Sequence, residues 1–220
     1  MRRWIALCYM KANLGAMKRI VLGITGASGA CYAQRLIDLI SEARHELHVV
    51  CSNYALQVAN EELGGFRFPS SVTRHSDRSM LAPFASGSAN FDAMVIAPCS
   101  MGTVGRLAHG YADSLITRAA DVFLKERRRL IVVPRETPWN LLQARNIVTL
   151  LEAGADVIPA MPSFYGHPQS INDLVDTVVA RILDHLGIDN EVARRWCDCR
   201  GRSYGNADDN AVERKVLSES

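Results

Sequence analysis

The chain has 220 residues, of which 48% are hydrophobic and 22% are charged. Disordered chains are poorer in apolar residues and collagen-like chains are far richer in glycine, so both classes are excluded. The 25 basic and 23 acidic residues leave a net charge of +2, which gives no electrostatic case for nucleic acid as the main partner. The length fits one large α/β domain, which buries about 70% of its unfolded surface without a disulfide or metal staple.

Cysteine usage and the N-terminus bound the location of the protein. Six cysteines are scattered, and only Cys197 and Cys199 lie close together. A lone C-x-C pair without a nearby His cluster is a weak metal signal, so we predict no metal site and reduced thiols in the cytoplasm. Lys11 interrupts the short apolar run near the start, and no stretch reaches the length of a spanning helix. Met17 directly precedes a strong strand pattern, so we interpret residues 1–16 as an N-terminal extension or as a misassigned start.

Strand and helix patterns alternate along the chain. Nearly continuous apolar runs predict five buried strands, at 19–25, 46–51, 93–97, 130–133 and 156–158. Helices are predicted after the first two strands, to about residues 43 and 63, and then over 102–109, 113–126, 139–153 and 170–186. Residues 64–90 are predicted to be irregular, and the polar segment 197–220 a mobile tail. This alternation predicts a doubly wound, mainly parallel sheet with helices on both faces.

Candidate functional side chains follow successive strands of this predicted sheet. An open parallel sheet binds ligands outside the carboxyl ends of its strands. In chain order, the residues at those ends are Ser28, Ser52, Ser100, Arg135 with Glu136, and Tyr165. Small polar residues also cap helices that follow strands, and this alternative accounts for Ser28 and Ser52. It does not account for the proline-flanked run at 134–138, so we predict one pocket at this edge of the sheet.

The first strand-to-helix turn, T-G-A-S-G-A, is a candidate anion site. Gly23 of the preceding strand and the turn glycines Gly26 and Gly29 are each three residues apart, so the turn does not match the G-x-G-x-x-G pattern of a dinucleotide site. Backbone N–H groups at the following helix N-terminus suit a single phosphate. A plain strand-to-helix turn is nearly as consistent with the pattern.

Three cations, Lys125, Arg135 and Arg181, and one tyrosine are further candidates for a phosphate site, and each has a structural alternative. Lys125 lies in a charged run that is typical of a solvated face. Arg181 borders the apolar stripe of the last helix, where a surface arginine can also snorkel. Tyr165 lies in a proline-stiffened loop and could simply pack there. Glu136 is either an acid–base group or the ion-pair partner of Arg135.

Seven stretches of the chain together resemble one family. They are K-R-I-V-L-G-I-T-G-A-S-G-A from Lys18, A-S-G-S from Ala85, A-P-C-S-M-G-T from Ala97, T-R-A-A-D-V-F-L-K-E-R-R from Thr117, V-P-R-E-T-P from Val133, P-S-F-Y-G-H-P-Q-S from Pro162 and V-A-R-I-L from Val179. In combination they resemble the UbiX-type flavin prenyltransferases, formerly described as 3-octaprenyl-4-hydroxybenzoate or phenylacrylic acid decarboxylases. The resemblance covers about residues 18–196, and we therefore predict a single flavoprotein domain at 17–196.

The resemblance implies a fold, a reaction and an assembly. The fold would be a flavodoxin-like Rossmann fold, and the protein a homo-oligomer, a dodecamer with active sites at subunit interfaces. The reaction would prenylate reduced FMN from dimethylallyl monophosphate, closing a fourth ring across N5 and C6. The prenylated FMN would serve a UbiD-type decarboxylase. Prenyl transferases that act on diphosphates hold Mg²⁺ with clustered aspartates, and the chain has no D-D-x-x-D, which suits a metal-independent monophosphate donor.

The resemblance also implies a set of site residues. Contacts to FMN are expected from Gly26, Ala27, Ser28, Ser52, Ser100, Met101, Gly102, Thr103 and Arg135. Contacts to the prenyl donor are expected from Lys125, Glu136, Tyr165 and Arg181, and from Trp196, whose electron-rich ring can stabilise a carbocation. Ser28, Glu62 and Glu136 are the expected catalytic groups, with Glu61 as the alternative to its neighbour Glu62.

Three other functions stay open on the sequence. The stretch A-S-G-S-A-N is faintly similar to the substrate motif of flavin-dependent cysteine decarboxylases, although the chain has no P-x-M-N-x-x-M-W clamp. A non-catalytic FMN carrier would need only the flavin contacts. Direct decarboxylation of an aromatic acid is the third alternative.

Overall fold

A computed structural model describes residues 17–196 of the chain. The predicted N-terminal extension at 1–16 and the predicted tail at 197–220 lie outside the described residues. The strands are β1 Arg19–Ile24, β2 Glu46–Cys51, β3 Thr73–Ser76, β4 Ala93–Cys99, β5 Arg129–Pro134 and β6 Asp156–Val157. The helices are α1 Ala30–Glu42, α2 Asn53–Leu63, α3 Met101–Ala108, α4 Leu115–Lys125, α5 Leu141–Glu152 and α6 Ile171–Leu186, with a short 3₁₀ turn at Pro83–Ala85.

The six strands form one sheet in the order β3-β2-β1-β4-β5-β6, and each neighbouring pair is parallel. Without the edge strand β3, this order is the one found in flavodoxin-like folds. The chain moves outward from β1 in one direction through β2 and in the other through β4. That reversal places a crevice at the carboxyl ends of β1 and β4, where ligands of such sheets bind.

Both faces of the sheet are covered, which explains the uninterrupted apolar runs. In β1, Ile20, Leu22 and Ile24 enter one buried cluster with α1 and α6, while Val21 enters the opposite cluster with α3, α4 and α5. Successive side chains of a strand point to opposite faces, so a strand buried on both needs apolar residues throughout. The predicted doubly wound sheet with helices on both faces is confirmed.

The structure corrects the sequence prediction in the segment 64–90. Part of it is the strand β3, which pairs with β2 along the edge of the sheet. Its sequence, T-R-H-S, is polar and largely exposed, so it lacks the apolar run that marks the buried strands. The helix predicted from Trp139 begins instead at Leu141, because Asn140 and Gln143 form a capping box there.

Strand β4 also extends beyond its predicted end at residue 97. It continues through Pro98 to Cys99, with a shift in the β4–β5 register between Ile96 and Cys99. Such an irregularity is where a strand tolerates proline, which has no N–H to give to the ladder. Of the helices within residues 17–196, none has both the length and the hydropathy that crossing a bilayer requires.

Candidate active site

A cavity of about 260 Å³ opens where β1, β2 and β4 end, and we name it the strand-end cavity. Four of the residues predicted to contact FMN line it, namely Gly26, Ser52, Ser100 and Thr103. A second cavity of about 530 Å³ lies beside it and shares Ser52, Tyr54 and Asp77. Small-molecule sites occupy about 300–1,000 Å³, so the two adjoining cavities together offer space for a ligand of that size.

Thr25 joins the two strand ends that form the strand-end cavity. Its Oγ1 donates to the carbonyl oxygen of Pro98 at 3.0 Å and accepts from the backbone N–H of Ser100 at 2.7 Å. The side chain is buried, at 4% exposure. The turn after β1 and the start of α3 are therefore held against each other, which keeps Gly26 and Ser100 on the same cavity.

Two predicted flavin contacts are also helix caps. Ser52 Oγ accepts from the N–H of Ala55 at 3.1 Å, and Ser100 Oγ accepts from the N–H of Thr103 at 3.4 Å. The capping alternative raised for Ser52 is therefore confirmed. Capping does not exclude ligand contact, because a hydroxyl that accepts one hydrogen bond still has a proton to donate.

The turn before α1 binds a carboxylate of the chain itself. Gly29, with φ +106°, is the N-cap of α1, in a backbone conformation that favours glycine. Its N–H donates to Glu62 Oε2 at 3.0 Å, and the N–H of Ala30 donates to the same oxygen at 2.8 Å. The helix N-terminus for which the sequence suggested a phosphate therefore holds Glu62. The neighbouring Glu61 does not contact this turn.

The environment of Glu62 favours its ionised form. Partial burial raises the pKa of this carboxyl, but hydrogen bonds from Ser28, Ala30 and Gly29 and the charge of Arg135 lower it further. The net result is a pKa below the ordinary glutamate value, so Glu62 is a hydrogen-bond acceptor near neutral pH. The same interactions connect the predicted groups Ser28, Glu62 and Arg135.

Arg135 and Glu136 follow β5 as predicted, and both are exposed. The N–H of Arg135 donates to the carbonyl oxygen of Cys99 at 3.1 Å, which ties the end of β5 to that of β4. Glu136 Oε1 accepts from the N–H of Thr137 at 3.0 Å. Among residues 17–196, no ion pair joins Glu136 to Arg135. The ion-pair interpretation of Glu136 is therefore wrong for this structure.

The remaining predicted flavin contacts lie at the same helix starts without lining the strand-end cavity. Ala27 and Met101 are buried, whereas Gly102 is exposed in the first turn of α3. Lys125 is half-exposed at the end of α4, where its Nζ lies 3.1 Å from Glu126 Oε1. Within one chain, this exposed position and the contact with Glu126 agree with the alternative that Lys125 belongs to a solvated face.

Three residues predicted to meet the prenyl donor belong to the C-terminal part of the described chain, and we name them the C-terminal group: Tyr165, Arg181 and Trp196. The rings of Tyr165 and Trp196 meet edge to face, with centroids 5.4 Å apart. Arg181 Nη1 lies 3.3 Å from Asp184 Oδ2. None of the three lines the strand-end cavity, so one chain does not bring them to the predicted flavin contacts.

The structure adds residues that the sequence reasoning missed. Asp77, Arg106, Asp113, Ser114 and Thr117 line the strand-end cavity. Asp77 follows β3, and its carboxylate accepts from the N–H of Ile116 at 2.9 Å at the start of α4. The polar strand before Asp77 offered no signal, whereas Ser114 is a residue type favoured at helix N-caps and could have been identified from the sequence. Within residues 17–196, no three His, Cys, Asp or Glu side chains are grouped to hold a metal ion.

Comparison with known proteins identifies the family. The sequence model of the family described as "Flavoprotein" matches residues 11–183. Flavin prenyltransferase UbiX of Methanocaldococcus jannaschii is 42% identical over 181 residues, which span 81% of this chain and 98% of that protein. The crystal structure of AnUbiX in complex with FMN and dimethylallyl pyrophosphate matches with a TM-score of 0.78 at 38% identity, covering 82% of this chain and 97% of that chain.

A further structure and a more distant one complete the comparison. The dodecameric FMN-dependent UbiX-like decarboxylase from Escherichia coli matches with a TM-score of 0.76 at 37% identity, over 81% of this chain and 98% of that chain. The cysteine decarboxylase TvaF matches with a TM-score of only 0.55 at 20% identity, over 79% of this chain and 99% of that chain, which shows a shared fold alone. The chain belongs to the flavoprotein family and, within it, to the UbiX-type flavin prenyltransferases.

Proposed function

We propose that the protein transfers a dimethylallyl unit from dimethylallyl monophosphate to N5 and C6 of reduced FMN, releasing phosphate. Reduced FMN supplies the electron-rich ring positions to which the prenyl unit becomes attached. The product is proposed to serve a UbiD-type decarboxylase. The observation that carries the proposal is the hydroxyl-lined strand-end cavity, in a chain whose C-terminal group also pairs the aromatic rings of Tyr165 and Trp196.

The residues around the strand-end cavity fit a flavin nucleotide. Ser52, Ser100 and Thr103 supply hydroxyl groups, and two of them stand at the N-termini of α2 and α3. Helix N-termini favour anions, and hydroxyls bind polar chains such as ribityl. The residues proposed to hold FMN are Gly26, Ala27, Ser28, Ser52, Ser100, Met101, Gly102, Thr103 and Arg135.

The proposed donor contacts match the charges that the reaction creates. Breaking an allylic C–O bond leaves positive charge on carbon and negative charge on the phosphate. The negative charge on the phosphate would be stabilised by Lys125, Arg181 and the hydroxyl of Tyr165. The positive charge on carbon would be stabilised by the ring of Trp196. Glu136 is proposed to orient the donor or move a proton.

Ser28 and Glu62 are proposed to act together at the flavin. The carboxylate of Glu62 accepts a hydrogen bond from Ser28, which helps to lower the pKa of Glu62 and orients the Ser28 hydroxyl. The expected consequence is that Ser28→Ala reduces the rate of the chemical step more than it reduces flavin affinity. Unaltered turnover in this variant would remove Ser28 from the catalytic residues.

We further propose a homo-oligomer, a dodecamer, in which neighbouring copies complete the site. Two observations support it: the C-terminal group lies apart from the strand-end cavity, and α5 exposes the apolar side chains Leu141, Leu142, Val148 and Leu151. The dodecameric relative from Escherichia coli supports the same size. Sedimentation of the purified chain as a monomer would contradict this assembly. A cytoplasmic location stays a prediction.

One anaerobic experiment tests the reaction. The protein is incubated with reduced FMN and dimethylallyl monophosphate, and in parallel with dimethylallyl pyrophosphate, and the flavin is analysed by mass spectrometry. A flavin heavier by one prenyl unit, formed faster from the monophosphate, is the expected result. Absence of the heavier flavin with both donors would contradict prenyl transfer, and preference for the pyrophosphate would contradict the proposed donor.

The alternative functions have distinct signatures in the same preparation. Tight binding of FMN with unchanged mass would favour a carrier. Oxidative decarboxylation of a cysteinyl peptide would favour a cysteine decarboxylase. Release of carbon dioxide from an aromatic acid by this chain alone would favour a direct decarboxylase. Restored activity of a flavin-free UbiD-type enzyme after addition of the product is expected if that enzyme is the recipient.

A further inference from the structure

One carboxylate on α6 contacts Arg181 of the C-terminal group and also the segment of chain that leads to Trp196. Asp184 lies three residues after Arg181 and accepts from its Nη1 at 3.3 Å. The same carboxylate accepts from both terminal nitrogens of Arg195, at 2.5 Å and 2.8 Å, and from Asn190 Nδ2 at 3.1 Å. Asp184 is therefore the point at which α6 and the following segment 190–196 are joined.

The second arginine extends this connection to the aromatic pair. Arg195 directly precedes Trp196, whose ring meets that of Tyr165 at an interplanar angle of 83°. Arg195 Nη2 also donates to the carbonyl oxygen of Asn190 at 3.2 Å. Side-chain contacts thus run from Arg181 through Asp184 to Arg195, the backbone continues from Arg195 to Trp196, and the ring of Trp196 contacts that of Tyr165.

We propose that Asp184 is the positioning residue of the donor site: by holding Arg181 on one side and Arg195 on the other, it fixes Arg181, Trp196 and Tyr165 as one unit. This inference rests on the proposed function, because it concerns the residues that we expect to bind the prenyl donor. Asp184 itself is not proposed to touch the donor. Its action is through the two arginines.

The geometry of the arginine contacts suits this role. A guanidinium carries five N–H donors, and the contact between Arg181 and Asp184 uses the nitrogen Nη1 alone, so other donors can meet a phosphate. Arg195, in contrast, forms a two-pronged contact that fixes the orientation of its planar group. The carboxylate thus anchors the segment before Trp196 firmly and holds Arg181 at one edge.

The charges of the cluster also favour a phosphate. Two guanidinium groups share one carboxylate, so the cluster has an excess of positive charge. Hydrogen bonds from Arg195 lower the pKa of Asp184 below its ordinary range, more than its partial burial raises it. The carboxylate therefore stays ionised near neutral pH and keeps both arginines in place while a dianionic donor approaches.

The test compares Asp184→Asn with Asp189→Asn. Asp189 is an exposed aspartate five residues along, without an ion pair among residues 17–196, and serves as the control. Asp184→Asn is expected to raise the KM for dimethylallyl monophosphate about 10-fold or more, because small displacements of positioning groups have effects of that size. FMN affinity and thermal stability should remain close to those of the parent, and the control should resemble the parent throughout.

A second variant guards against misfolding of the first. Arg195→Lys keeps the positive charge but cannot form the two-pronged contact, so a smaller rise in the same KM is expected. An unchanged KM in both variants would overturn the proposal. A KM that rises only together with loss of FMN affinity and of thermal stability would also overturn it, since that pattern indicates a general structural role.

A fluorescence measurement separates this inference from the proposed function. The chain has 3 tryptophans, so the Trp196 signal is obtained by subtracting the spectrum of a Trp196→Phe variant. Asp184→Asn is expected to increase acrylamide quenching of Trp196, even in a preparation that makes no prenylated flavin. Failure of the parent protein to prenylate FMN would contradict the proposed function, whereas unchanged quenching in Asp184→Asn would overturn the positioning role.

Discussion

The strand-end cavity and the C-terminal group are built by different kinds of interaction. The cavity lies at the ends of buried parallel strands, where Thr25, at 4% exposure, is held by backbone groups of β4 and α3. The C-terminal group lies on an exposed surface, where Tyr165 and Trp196 are 41% and 57% exposed. There the rings of Tyr165 and Trp196 contact each other, and Arg181 is held by the side chain of Asp184. Substitutions at the cavity should therefore alter stability and flavin affinity together. Substitutions in the C-terminal group should alter the use of the prenyl donor and leave flavin affinity close to that of the parent.

The largest effect is expected for Gly26→Val at the strand-end cavity. A Cβ on Gly26 would lie 2.3 Å from Tyr54 Cβ, so the turn after β1 and the first turn of α2 would have to move apart. We expect a loss of about 3 kcal/mol in the free energy of unfolding, as is typical of overpacking, with loss of flavin affinity. Urea unfolding and FMN titration measure the two quantities.

Gly105→Ala is the control for this variant. Gly105 lies within α3, and the nearest atom to its added Cβ is Asn146 Nδ2 at 3.4 Å, an ordinary contact. Alanine also has a higher helix propensity than glycine, so unfolding should be unchanged or slightly harder. If Gly26→Val binds FMN as tightly as this control, the turn after β1 does not hold the flavin site rigidly, and the contrast between the cavity and the C-terminal group fails.

The next effect concerns the ion pair that links the two regions. Arg35 of α1 contacts both carboxylate oxygens of the buried Asp176 of α6, at 2.7 Å and 2.9 Å. Asp176→Ala would leave the arginine charge without its partner, and because Arg35 is about one-third exposed we expect a loss of about 2 kcal/mol in the free energy of unfolding. Since α1 carries the turn that holds Glu62 and α6 carries Arg181, flavin affinity and the donor KM should change together.

Asp121→Ala provides the control for the ion-pair variant. Asp121 pairs with Arg118 on the surface of α4 at 3.2 Å, three residues along the same helix. Exposed pairs of this kind contribute about 0.3–0.5 kcal/mol, so the free energy of unfolding should hardly change. A change in flavin affinity alone, or in donor KM alone, after Asp176→Ala would show that the two regions respond independently.

The two regions also differ in how far the sequence predicts them. Strands buried on both faces need apolar side chains throughout, so β1, β2, β4 and β5 could be predicted to within a few residues. Because ligands of parallel sheets bind at strand ends, Ser52 and Ser100 could be placed at one cavity before its geometry was known. The edge strand β3 escaped prediction because pairing on one side alone does not demand an apolar sequence.

Side-chain contacts between segments that are distant in the sequence could not be predicted from the sequence pattern. That Glu62, rather than Glu61, caps α1 depends on how α2 packs beside the turn after β1. The link from Arg181 through Asp184 to Arg195 depends likewise on how the segment after α6 folds back. Local periodicity identifies which elements form, but it does not specify which side chains meet across them.

A smaller and more selective effect is expected for Arg181→Ala. Because we propose that Arg181 donates charged hydrogen bonds to the phosphate, its loss should raise the KM for dimethylallyl monophosphate about 10-fold or more. FMN affinity should remain close to that of the parent, because Arg181 does not line the strand-end cavity. Arg67→Ala, at an exposed arginine that belongs neither to the strand-end cavity nor to the C-terminal group, is the control and should change neither quantity. Equal losses of donor use and flavin affinity would indicate a folding defect. They would contradict the distinction between the strand-end cavity and the C-terminal group.

The smallest effect is the pH dependence that Glu62 contributes at the strand-end cavity. Because the folded state lowers the pKa of Glu62, its contribution to stability is complete above the ordinary glutamate pKa and is lost as the pH falls through the lowered value. The free energy of unfolding of the parent should therefore fall more steeply below about pH 5 than that of Glu62→Gln, which cannot ionise.

Urea unfolding at a series of pH values measures this difference, with Glu61→Gln as the matched control. Other carboxylates contribute to the acid sensitivity of all three proteins, so only the difference between their slopes is attributed to the residue changed. Glu61 does not contact the turn before α1, and its replacement should leave the slope of the parent unchanged. Since Glu62 binds the N–H groups of Gly29 and Ala30, a flatter slope in Glu62→Gln alone would assign the acid sensitivity to the cap of α1. Equal slopes in both variants would show that this cap does not stabilise the turn beside the flavin contacts.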